Sequence, residues 1–400
     1  MNFVKLDGLV ELSQGLCVNQ KTSSLFSNNK SNDFSLPLLK IANMQKGDFD
    51  IFVSRDVNRK VIASENDLIY TRTGLIGYCF RGFNGVVHNN SFIINILDEQ
   101  KLDKDYLFVV LNTFYIRNQA EKMARTSVQP DLTHEMFKSI LIPFPNIEIQ
   151  RKIAKIVLNI NSQIERNNAM VQKLQVLAQT TYSRWFNQFE FPNSEGKPYK
   201  SNGGEFIYNK ELGKEIPIDW EVKTLGDLIK KVTPNFDYSS NLPTIDLSVM
   251  PSSSFMLNEL NESKNFTSNL FAMEKGNILF GSIRPYLKKA GIAPCNGVVA
   301  GTVHQYKEID KDFYNFALMT MVQDSFFDYA LQVATGTKMP VVSSDNLLNY
   351  KVPFNKKIVK KFQDSFNLVG ITCNCVMQNQ ELNRLKEKLL PLLINGQLNF

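Results

Sequence analysis

No stretch of this 400-residue chain approaches the run of about 18 apolar residues that a membrane-spanning helix requires, and its opening residues hold no apolar segment of signal-peptide length. The expectation is a cytoplasmic protein with no membrane partner. Histidine is scarce: only His88, His134 and His304 occur, at spacings that do not suit metal ligation, so each reads as a structural or surface residue. The five cysteines, Cys17, Cys79, Cys295, Cys373 and Cys375, are an odd and scattered set that fits reduced thiols, and Cys373 with Cys375 lacks the histidine or second cysteine pair of a zinc site. No two prolines are adjacent, which removes the Pro-Pro-aromatic segment with which an amino-methyltransferase grips a flipped base. Gly196-Lys197 precedes Pro198 and Gly213-Lys214 precedes Glu215, so no phosphate-binding loop with its Ser or Thr is present. Pro130-Asp131 with Glu135 and Lys138 has the residue types of a nuclease centre but the wrong Glu-to-Lys spacing. Catalytic residues, a metal and a cofactor bound to this chain are therefore not expected.

What is there is an ordinary globular composition, 43% hydrophobic and 21% charged, long enough for two cores. The net charge of +6 is compatible with a polyanion partner without demanding one. More telling is that the chain is written twice. Glu65-Asn66-Asp67-Leu68-Ile69-Tyr70 answers Glu274-Lys275-Gly276-Asn277-Ile278-Leu279-Phe280, and Asn84-Gly85-Val86-Val87 answers Asn296-Gly297-Val298-Val299. Asp103-Lys104-Asp105-Tyr106 answers Asp310-Lys311-Asp312-Phe313, and Ile142-Pro143-Phe144 answers Val352-Pro353-Phe354. A period above two hundred residues makes each copy a whole domain. Each copy reads as α+β: short β-branched and aromatic strands at 67–70, 91–96 and 277–280, helical stretches at 106–122 and 313–332, and a further short helix capped by Thr133 in one copy and Ser343 or Ser344 in the other.

A helical pattern follows each domain. Ile153, Val157, Ile160, Ile164, Asn167, Val171, Leu174, Ala178 and Thr181 alternate steps of four and three, the seam of a coiled coil. Leu368, Ile371, Cys375, Gln378, Leu382, Leu385, Leu389 and Leu392 lie 211 positions after Val157, Ile160, Ile164, Asn167, Val171, Leu174, Ala178 and Thr181. Both seams carry an amide, Asn167 and Gln378, which either fixes register or is half-exposed and specifies nothing. About 40 residues of helix over 147–186 would span about 60 Å. Gly, Pro, Asn and Lys make 187–219 read as a linker.

The stretch Trp185-Phe186, then Phe191-Pro192-Asn193-Ser194-Glu195-Gly196-Lys197-Pro198-Tyr199, and later Glu211-Leu212-Gly213-Lys214-Glu215-Ile216-Pro217, resembles the central conserved region of the specificity subunits of type I restriction-modification systems. Lys388-Leu389-Leu390-Pro391-Leu392-Leu393-Ile394-Asn395-Gly396 resembles the end of that family's second conserved helix. The resemblance implies two similar α/β target-recognition domains, 1–146 and 220–355, separated by two long antiparallel coiled-coil helices, 147–186 and 356–400, in a pseudo-twofold internal repeat. It implies double-stranded DNA as ligand, with a bipartite asymmetric site and a fixed spacer. It further implies two methyltransferase subunits and restriction subunits as partners, which carry S-adenosylmethionine, ATP and magnesium.

DNA readers need cations for phosphates and forked polar side chains for base edges. Two loop regions per copy offer them: Arg72 and Thr73 with Arg125, Thr126, Ser127 and Gln129 in the first, and Arg284, Tyr286, Lys288 and Lys289 with Thr335, Thr337 and Lys338 in the second. Each has a competing structural reading, since Arg72 and Arg284 could be salt-bridged to the sheet and the threonines could cap helices. A self-sufficient DNA methyltransferase or nuclease with degenerate motifs, a non-DNA coiled-coil adaptor, and a family member that recruits methyltransferase alone stay open at this level.

Overall fold

The structure is a computed structural model that describes residues 2–125, 130–257, 260–266 and 269–394. It divides into two compact units, Met1–Asn161 with Leu385–Phe400, and Ser162–Arg384.

In the first unit a four-stranded antiparallel sheet runs in the order Val10–Gln14, Ser91–Ile96, Leu68–Thr71, Cys79–Phe80. Its middle strands are buried on both faces, which is why their sequences are continuous apolar runs. Tyr70, Phe92 and Phe137 meet at ring separations of 4.7–5.8 Å and anchor the core with Tyr106 and Leu107. A second sheet, Phe26–Ser27, Phe52–Ser54, Phe34–Leu39, Gly85–Val87, Ile62–Ala63, contains one parallel pair, Phe34–Leu39 with Gly85–Val87. Phe3–Lys5 pairs with Leu141–Pro143 and closes the domain on itself.

The second unit repeats this topology. Ile229–Lys231, Val303–Glu308, Ile278–Gly281, Ala290–Ile292 form the four-stranded sheet in the same order. Asn261–Glu262, Pro243–Ile245, Gly297–Ala300, Leu270–Met273 form the second sheet, again with one parallel pair, and Glu221–Thr224 pairs with Lys351–Phe354. The repeated Asn-Gly-Val-Val now has a physical cause. A Cβ at Gly85 would lie 2.4 Å from the Pro37 carbonyl oxygen, and one at Gly297 would lie 2.3 Å from that of Pro243, because the parallel neighbour passes too close for any side chain.

Each expected domain helix is two. Lys104–Leu111 and Phe114–Ala124 are separated at Asn112, whose side chain bonds both the N–H and the carbonyl of Cys79, and Thr113 caps the second helix. Tyr314–Met321 and Asp324–Gln332 break likewise. The short helices start where expected, at Thr133 and Ser343, each hydroxyl accepting from the N–H three residues on.

The first long helix, Ile147–Tyr182, ends in a π turn, Ser183–Asn187. The region 356–400 is not one helix: Lys356–Ser365 stops at an extended Phe366, and Leu368–Ile394 starts afresh with the Asn367 side chain accepting from Gly370 N–H. Nor is 187–219 a loose linker. Phe189 and Phe191 are buried against Trp220 at 5.4 and 5.1 Å, Tyr199 stacks on Phe191 at 4.6 Å, and Phe206–Asn209 pairs with Lys214–Pro217. The turn residues are real, but the aromatics between them find a core.

The seam is partly as expected. Ile153, Val157, Ile160, Asn167 and Val171 are buried, Ile164 and Leu174 half-buried. In the second helix Leu368 and Cys375 are buried and Ile371, Leu382 and Leu389 half-buried, but Gln378 and Leu385 are exposed. The buried stripe runs Leu368, Thr372, Cys375, Asn379, stepping four-three-four instead of three-four-three. Both phasings share Leu368 and Cys375, so spacing cannot choose between them. Asn167 Nδ2 donates to Asn379 Oδ1 at 2.8 Å and to Gln378 Oε1 at 3.0 Å, and Asn379 returns a bond to Asn168 at 2.9 Å.

Candidate nucleic-acid interface

In both domains the strand end that follows the central aromatic meets the segment leading into the capped short helix. Thr73 bridges Asp131, and Leu132 N–H donates to the Arg72 carbonyl at 3.0 Å. Ile283 bridges Val341, and Val342 N–H donates to the Ser282 carbonyl at 2.9 Å. In each copy the strand-end loop thus lies against the segment, Asp131–Leu132 or Val341–Val342, that leads into the capped helix. This register also sets the correspondence between copies. Arg72 aligns with Ser282, Asp131 with Val341, and Arg284 with Gly74. Gly74 and Arg284 both hold left-handed backbone, at φ 74° and 51°. For a residue with a Cβ that conformation costs of order 1 kcal/mol or more and persists where the surroundings impose it.

The first copy is a closed network. Arg72 grips Asp131 with two bonds, Nε to Oδ1 at 2.8 Å and Nη2 to Oδ2, while Nη1 donates to Gln14 Oε1 at 2.9 Å. Gln14 Oε1 also faces His134 Nε2 at 3.0 Å, and its Nε2 donates to the Asn89 carbonyl at 2.8 Å, so the amide orientation is settled by donors on one side and an acceptor on the other. Burial, reinforced by the Arg72 and Lys138 charges against the opposing Asp131, holds His134 below its usual value, so it stays neutral and donates from Nε2. Thr73 is half-buried, Arg125 is exposed at the end of its helix and, among the described residues, makes an i,i+4 contact to Glu121 at 3.4 Å, and Thr126, Ser127 and Gln129 lie outside the described residues.

The second copy is open. Arg284 and Tyr286 are exposed, and among the described residues the Arg284 guanidinium has no ion pair. Thr335, Thr337 and Lys338 are exposed beside them, with Thr335 and Val341 exchanging backbone bonds of 2.8 and 2.9 Å and Arg284 N–H donating to the Pro340 carbonyl at 2.8 Å. Lys288 is paired with Asp324, and Lys289 Nζ donates to the Leu247 carbonyl. Gln14, Asp131 and His134 had no place among the expected DNA contacts, and nothing local marks them as partners of Arg72, since Gln14 and Arg72 are 58 positions apart.

A family model of the type I restriction modification DNA specificity domain matches residues 1–176. The MjaIX type I restriction enzyme specificity subunit of Methanocaldococcus jannaschii is 25% identical over 359 residues, covering 84% of this chain and 78% of that protein. The HindI specificity subunit of Haemophilus influenzae is 20% identical over 421 residues, covering 85% and 88%. The crystal structure of a type I restriction-modification S subunit from M. genitalium superposes with a TM-score of 0.58 at 14% identity, over 98% of this chain and 96% of that one, a likeness of fold. Over residues 1–176 the chain is thus similar to the type I DNA specificity domain, and over most of its length to type I specificity subunits. The loops just described stand at strand ends of a rigid sheet, where recognition chemistry is generally found. Among the described residues no cluster of His, Cys, Asp and Glu could hold a metal ion, and no helix is long and apolar enough to cross a membrane.

Proposed function

We propose that this chain is the non-catalytic DNA-reading subunit of a type I restriction-modification enzyme. Each domain reads one half of a split asymmetric sequence, the long helices set the spacer between the halves, and the chain recruits two methyltransferase subunits and restriction subunits. S-adenosylmethionine, ATP and magnesium act on those partners. The observation that carries this reading is one topology built twice with different side chains at the same loop positions: a closed Arg72 network in one copy, an open Arg284 and Lys338 surface in the other. Identical readers would demand a palindrome, whereas unlike readers suit an asymmetric site. The basic residues supply the salt-dependent phosphate attraction common to all duplexes.

The test is to exchange 36–143 for the same region of a relative and sequence the methylome of cells carrying the hybrid. One half of the methylated sequence changes and the other, with the spacer, stays. Changes spread over both halves would show that the domains do not read independently.

A further inference from the structure

A candidate for base readout lies in the part of the first domain that resembles a mere structural tie. Three of the five guanidinium N–H groups of Arg72 are engaged, two by Asp131 and one by Gln14 Oε1. One N–H on each terminal nitrogen remains without a partner among the described residues, and about a fifth of the Arg72 side chain is exposed, 21%. We propose that Arg72, clamped by Asp131 and Gln14, reads a guanine in the half-site of the first domain, and that Asp131 and Gln14 are the positioning residues of that contact. This rests on the DNA-reading function proposed above and assigns the chemistry of one of its contacts.

Two observations separate this from a fold-holding ion pair or a phosphate contact. The same loop crossing forms in the second domain with Ser282 in place of Arg72 and Val341 in place of Asp131, on a backbone bond of 2.9 Å against 3.0 Å in the first. The crossing therefore does not need the ion pair. A phosphate oxygen approaching Arg72 also meets the Asp131 carboxylate, so the cluster carries no net positive charge to attract it. An uncharged edge with two acceptors suits a neutralised but directional donor, and the guanine O6 and N7 present that edge in the major groove. The Asp131 bonds fix the guanidinium plane, so little side-chain freedom is left to lose when the base arrives.

The full chain, assembled with the two methyltransferase subunits proposed above, is incubated with duplexes of randomised sequence, and the bound fraction is sequenced for wild type, Arg72→Lys and Asp131→Asn, with thermal unfolding of each variant recorded. The wild type is expected to enrich a split sequence with a guanine in one half. Arg72→Lys should lower the preference for that guanine by roughly ten-fold while the other half stays unchanged. Asp131→Asn, which keeps the shape and removes the charge, should relax the same position by a smaller factor. Guanine preference surviving Arg72→Lys, or an equal loss at every position, overturns the assignment while leaving the DNA-reading function standing. Failure of the wild type to enrich any sequence overturns that function and the assignment with it.

Discussion

Residues 71–74 and 281–284 hang on one hydrogen-bond frame and solve opposite problems. Arg72 N–H and Ser282 N–H each donate to the residue preceding the returning strand, Asn90 or Thr302, and each carbonyl accepts from the segment that enters the capped helix. Around that frame the first domain neutralises its cation with Asp131, and the second leaves Arg284 in solvent on a left-handed backbone where its counterpart is glycine. The backbone alone holds the crossing, so side chains there are free to diverge. That is what the proposed reading of two unlike half-sites requires.

The comparison is broken most severely at the glycines the copies share. Gly85→Ala and Gly297→Ala should each cost about 3 kcal/mol by driving a Cβ into the Pro37 or Pro243 carbonyl. Urea unfolding followed by hydrogen exchange should show Gly85→Ala lowering protection in the first domain's strands and Gly297→Ala in the second's. Gly291→Ala, with open space around its Cβ, should be neutral or stabilise by up to about 1 kcal/mol. Equal losses from all three would mean that close approach is not what the shared glycines serve.

A smaller effect sharpens the comparison of the helices. Asn167→Ala leaves the buried Asn379 amide short of a partner and should cost about 2 kcal/mol, whereas Gln378→Ala, at an exposed position, should stay within about 0.5 kcal/mol. Denaturant midpoints decide it, and a larger loss from Gln378→Ala would return the seam to the three-four-three phasing.

The smallest effect concerns pH. Burial depresses the titration of His88, His134 and His304 in the folded chain below the ordinary 6.5. The unfolded chain then takes up protons first, so stability is intact above about pH 6.5 and falls as the pH drops towards the folded values. The thermal midpoint of wild type should decline over that window, and His304→Gln should flatten the decline. A midpoint that rises on acidification would contradict the direction of all three shifts.

Much of the fold was legible in the chain itself. Strand 68–71, the caps at Thr133 and Ser343, the long helix from Ile147 and the duplication are local patterns, and burial, capping and helical period leave their mark within a few residues. The candidate site was half legible. Strand ends rich in Arg and Thr are visible in the chain, but which residues answer one another is not. Arg72 and Arg284 both follow a strand, and only the ladder register shows that they stand two residues apart in the repeat.

What the sequence determined by itself is therefore the repeated domain, the absence of long apolar spans and the placing of cations near strand ends. Only the tertiary structure decided that Arg72 finds Asp131 and Gln14, 59 and 58 positions away, that Asn379 and not Gln378 is buried, and that 187–219 folds onto Trp220. The reason is the range of the physics. Periodicity and capping act within a few residues, whereas the partner of a half-buried charge, the phase of a helix face and the burial of an aromatic depend on what the sheet order and the facing helix bring alongside.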